Sequence, residues 1–170
     1  MVRTLLTLGG AALLLSAVPP RAESAQTTQN VLAFGAKRYV LPYVIAVKSL
    51  SAPDQIWVVM TTAPVSAADA ADRQVMIRKA MNGQLRGVRV GVDATQPRMN
   101  ELQMGVLVSR TESPTGEISV GGGGGRFWNS LALTNNRVQG QAQVVWDTTE
   151  NGTTPWTADL NFNTAVLTVK

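Results

Sequence analysis

The chain has 170 residues, a formal net charge of +4, and neither histidine nor cysteine. Those two absences exclude Ser-His-Asp and Cys-His nucleophile systems, zinc and haem sites that need His or Cys, thiol redox chemistry and disulfides. Carboxylate chemistry, Ser, Thr, Tyr and Lys nucleophiles and oxygen-ligated calcium or magnesium remain, and a single domain of this length must hold together by core burial.

Residues 1–24 read as a secretory signal peptide. Arg3 supplies the positive start, Leu5 to Val18 an uncharged apolar run, Pro19-Pro20-Arg21 a break, and Ala22-Glu23-Ser24 small residues where a signal peptidase cuts. The run is short for a membrane span, and no later segment reaches ~18 uncharged apolar residues. The expected product is exported, periplasmic or extracellular, without a transmembrane segment. Residues 25–30 form a flexible polar leader, and residues 31–170 a single domain.

Arg38 to Ser49 is rich in β-formers, with Pro42 marking an edge, bulge or split strand. Ser51 to Asp54 signals a turn, and the apolar run Ile56 to Thr62 a strand covered on both faces. One helix is expected over residues 67–82. Ser66 caps it with Asp69 three residues on, Asp69 and Arg73 are spaced as an i,i+4 pair, and Gly83 stops it. Leu85 to Asp93 alternates valines against Arg89, Gly91 and Asp93, as a strand with one wet face does. Leu102 to Ser109 and Ile118 to Val120 are strands, with a turn at Pro114-Thr115-Gly116 between them.

Asn135-Asn136 separates two alternating runs and suits a two-residue hairpin turn. That turn would set Thr134 opposite Arg137, Leu133 opposite Val138, Leu131 opposite Gly140, Asn129 opposite Ala142 and Phe127 opposite Val144. Trp128 would then oppose Gln143 on a polar face shared with Ser130, Gln139 and Gln141. Trp156, Ala158, Leu160 and Phe162 alternate with Thr157, Asp159, Asn161 and Asn163 in a last one-sided strand. The expected fold is mainly β, an antiparallel β-sandwich of about eight strands with one inserted α-helix. A closed barrel is the alternative.

The candidate ligand-binding residues are Trp128, Arg126, Gln139, Gln141 and Gln143: an indole to stack on a sugar ring, and amides to bond its hydroxyls. The competing reading is that another element covers Trp128, as large aromatics are mostly buried. The run Gly121 to Gly125 before Arg126 could form an anion nest, but it lacks a phosphate loop's Lys-Ser/Thr and following helix. A strand edge without room for side chains is the favoured reading. Asp147, Glu150 and Asn151 are the candidate calcium ligands, in a loop whose spacing departs from an EF-hand, and no metal site is assigned. The basic residues are scattered, so nucleic acid is not an expected partner.

The expected function is a non-enzymatic binding or structural module of the cell envelope, with an envelope protein or a glycan as partner and no cofactor. The alternative is a carboxylate-based polysaccharide hydrolase. That would need two acids about 5 to 9.5 Å apart across a cleft, from among Asp93, Glu101, Glu112, Glu117, Asp147, Glu150 and Asp159.

Overall fold

The computed structural model describes residues 29–97, 103–121, 128–146 and 154–170. The expected signal peptide, most of the leader, Arg126, and the calcium candidates Asp147, Glu150 and Asn151 lie outside the described residues. Ten strands and two helices are described, and the strands form one open, mixed sheet.

Strands β1 (Val31–Phe34) and β2 (Lys37–Val40) form a hairpin whose turn uses Gly35 at φ +56°. Leu41 and Pro42 then separate β2 from β3 (Tyr43–Ser49), so the proline splits what the composition presented as one strand. Strand β4 (Ala52–Thr61) pairs with β3 through a register shift at Lys48/Ser49.

The expected single helix is two. Helix α1 (Ala67–Ala71) starts at Ser66, whose Oγ accepts from the Asp69 amide at 3.1 Å. Asp72 leaves helical geometry at φ −94°, ψ 104°, and its carboxylate accepts from the amides of Gln74 and Val75. It thereby caps helix α2 (Arg73–Met81). The break ends the i,i+4 relation of Asp69 and Arg73: Asp69 pairs with Lys79, and Arg73 with Glu117. Gly83 follows α2 at φ +75°, a left-handed conformation in which glycine carries no steric penalty.

Strands β5 (Gly87–Asp93), β6 (Gln103–Leu107) and β7 (Glu117–Val120) continue antiparallel from β4. The expected wet face of β5 is covered. Arg89 is 2% exposed, with its guanidinium 4.5 Å from the Trp57 ring centroid. On that side of the sheet Val47, Val59 and Leu107 pack with Met76 and Ala80 of α2.

Strands β8 (Trp128–Thr134) and β9 (Arg137–Trp146) form the expected hairpin, with Asn135 and Asn136 at φ 51° and 57°. The foreseen register holds from Thr134↔Arg137 to Ser130↔Gln141, then shifts, and Trp128 pairs with Ala142.

Strand β10 (Trp156–Val169) joins the two parts of the sheet. Trp156–Ala165 pairs with β9, Trp156–Asp159 also pairs with β1, and Val166–Val169 pairs with β3. The last pairing is parallel, which corrects the all-antiparallel expectation. β3 and β10 are far apart in sequence, so no tight hairpin constrains their relative direction. Ile56, Val58, Val88, Val90 and Val106 from one part of the sheet share a core with Leu32, Val144, Leu160 and Phe162 from the other.

Candidate functional site

The odd-numbered residues of β9 and of the first half of β10 point away from that core. Pairing sets Gln139 beside Asn163, Gln141 beside Asn161 and Gln143 beside Asp159. Each amide both donates and accepts, so the rows form a surface of mixed donors and acceptors. A shallow hollow of about 340 Å³ lies on this face, its polar lining drawn from Gln29, Arg38, Asn129, Gln141, Gln143, Asp159 and Asn161. Asn30 is fixed nearby, because its Oδ1 accepts from the backbone N–H of Asn161 at 2.6 Å. A second hollow of about 210 Å³ takes Gln139, Arg137 and Asn163 into its wall, and Arg137 Nε donates to Asn163 Oδ1 at 3.2 Å.

Of the residues singled out from sequence, Gln141 and Gln143 meet in the first hollow, and Gln139 lies along the same face. Trp128 does not share that face. The bulge at Asn129 shifts the alternation by one, so the indole turns inward and is 5% exposed. It meets Phe162 edge-on, with ring centroids 5.9 Å apart. Gly140 makes room for both rings, since a Cβ there would stand 2.6 Å from Phe162 and 2.9 Å from Trp128.

Sequence reasoning did not assign Arg38, Asn129, Asp159 or Asn161 to the site. The alternation of Asp159, Asn161 and Asn163 was visible, but the partner of their strand was not. Arg38 comes from a separate hairpin that reaches the site only because β1 pairs with β10.

Two buried carboxylates lie elsewhere and are bound by cations. Glu117 takes Arg73 at 2.6 Å and Arg89 at 3.7 Å. Burial pushes the Arg89 guanidinium below its ordinary value, and the Glu117 charge opposes that shift. Glu112 accepts from Tyr39 Oη and Arg86 Nε, each at 2.6 Å, from the Ser109 amide and hydroxyl, and from Lys37 Nζ at 3.1 Å. Burial alone would raise this carboxyl. The hydrogen bonds from Tyr39, Ser109 and Lys37 outweigh it and hold the group well below the usual carboxylate range. Lys37 and Tyr39 flank Arg38 along β2, so the Glu112 cluster anchors the strand that carries Arg38 to the hollow.

Among the described residues no group of three or more acids is placed to hold a metal, and no helix is long and apolar enough to cross a membrane. Asp159 is the one acid among the described residues lining the amide hollow. The arrangement offers hydrogen-bond recognition by side-chain amides, one cation and one carboxylate. No family model, curated protein or solved structure matches the chain.

Proposed function

We propose that this chain is an exported, non-enzymatic binding module of the cell envelope that recognises a glycan through the amide-rich face of β9 and β10. The observation that carries the reading is the hollow where Gln141, Gln143, Asn161, Asp159 and Arg38 converge on a face of paired strands. Hydroxyl groups donate and accept, as these amides do, and the paired strands fix the backbone positions from which the side chains reach. Trp128 has no part in this version of the site. Export rests on the residue pattern of positions 1–24. In the same reading the two parts of the sheet, joined through β10, are the faces of an open sandwich around their shared core.

The test is calorimetric titration of a glycan panel into the protein and into a Gln141→Ala/Gln143→Ala variant. Both positions are exposed, so the variant should melt with the wild type. A ligand that binds the wild type should bind the variant more weakly, by about fivefold for each hydrogen bond lost at ~1 kcal/mol. Equal affinity for both proteins would remove the amide face from the site.

A further inference from the structure

The odd positions of β10 change character along one face. Asp159, Asn161 and Asn163 are followed by Ala165 and Leu167. The hollows follow the same order. The amide hollow shares Gln29 and Asn161 with a neighbour of about 460 Å³. That neighbour shares Pro42, Val44 and Thr164 with a third hollow of about 490 Å³. The third is lined mainly by apolar groups, among them Tyr43, Ile45, Val65 and Leu167, and by no charged residue. Val40, Tyr43 and Leu167 are large hydrophobic residues left 42%, 44% and 45% exposed, and all three line this chain of hollows. From Asp159 to Leu167 the furrow runs for about 26 Å at ~3.3 Å per residue.

A protein-docking patch commonly has an apolar centre and a polar rim. Here polarity instead changes along one axis, the direction of β10. We propose that the furrow binds a single amphiphile, its hydroxyl-rich head at Gln141, Gln143 and Asp159 and its alkyl tail over Tyr43, Val65 and Leu167. The proposal rests on the glycan reading of the amide hollow and names its ligand class as a lipid-linked sugar.

The break in β10 pairing gives the furrow its physical origin. Neither β1 nor β3 pairs with β10 between Leu160 and Ala165. The β2–β3 link passes this stretch, with the Leu41 amide donating to Asn30 O at 2.8 Å, and Leu41 and Pro42 line the middle hollow. Pro42 has no amide proton to complete a ladder. Pro42, which splits the strand, lines both the middle and the apolar hollow.

The experiment titrates the full chain with maltose, N-acetylglucosamine and their octyl, decyl and dodecyl glycosides, all below micelle formation, and with phosphatidylcholine vesicles. It is repeated with Leu167→Asp and with Gln141→Ala/Gln143→Ala, each checked by melting temperature. Full burial of a methylene is worth about fourfold in affinity and half burial about twofold. Affinity should therefore rise at least about twofold per methylene in one glycoside series. Leu167→Asp should flatten the series without abolishing sugar binding, and the double variant should weaken every member. Sugar binding with no dependence on chain length would overturn the furrow and leave the glycan reading standing. A chain-length dependence untouched by the double variant would overturn both. Binding to vesicles with no affinity for the monomeric glycosides would replace the single-molecule site by a membrane-contact surface. No binding by any probe would also overturn the proposal.

Discussion

Replacing Glu112 should reveal how much the fold depends on one buried carboxylate. Its side chain is 6% exposed and its two oxygens have separate duties. Oε1 receives Lys37 and Tyr39, while Oε2 receives Arg86 and both polar groups of Ser109. In Glu112→Gln one oxygen becomes a carboxamide NH2, and at least one donor set then faces another donor. The favourable choice keeps the carbonyl toward Arg86 and Ser109. Tyr39 can rotate its hydroxyl to accept, and the exposed Lys37 swings into water. Glu112→Ala has no such remedy and leaves the Arg86 guanidinium, 15% exposed, without its carboxylate. Breaking a buried pair from one side costs about 3–5 kcal/mol, so we expect about 3–4 for Ala and about 2 for Gln. For a domain of this size a loss of 3 kcal/mol lowers the melting temperature by about 6–12 °C. Urea unfolding measures the same quantity through its midpoint, with the slope unchanged. The folded-state pKa is depressed from 4.5, so the stabilisation is complete above about pH 4.5. It falls away as pH drops below that value toward the lower folded-state pKa. Wild type should lose stability on acidification over that window, and Glu112→Gln should lose less. A Glu112→Ala variant within about 0.5 kcal/mol of wild type at pH 7 would refute the reasoning.

Three further outcomes follow from the packing. Gly140→Ala should cost about 1–3 kcal/mol, because its Cβ would meet Phe162 at 2.6 Å; calorimetric melting checks this. Trp128→Phe should leave the acrylamide-quenchable tryptophan fluorescence nearly unchanged, since the indole is 5% exposed, whereas Trp128→Ala should destabilise by about 3–5 kcal/mol. Loss of most of the quenchable signal in Trp128→Phe would return that indole to the surface. Asp72→Ala should cost about 1 kcal/mol through loss of the α2 cap, and Asp72→Asn should recover most of it in a urea titration.

The sequence alone determined what local chemistry determines. Asn135-Asn136 tolerates positive φ, and period-two alternation then places Gln139, Gln141 and Gln143 on the outer face. Ser66 and Gly83 bracket the helical region for equally local reasons. Tertiary structure decided wherever distant groups compete for one space. Trp128 enters the core because Gly140 and Phe162 leave a site for its ring, and one bulged residue at Asn129 is enough to turn it inward. Arg89 lies on an alternation that reads as wet, yet Trp57, Glu117 and α2 cover it. Asp72 has a side chain short enough to cap a new helix, and Glu117 draws Arg73 away from Asp69. Arg38, Asp159 and Gln143 meet only because β1 and β9 flank β10 on opposite sides, a pairing set by the burial of whole strand faces and not by any local motif.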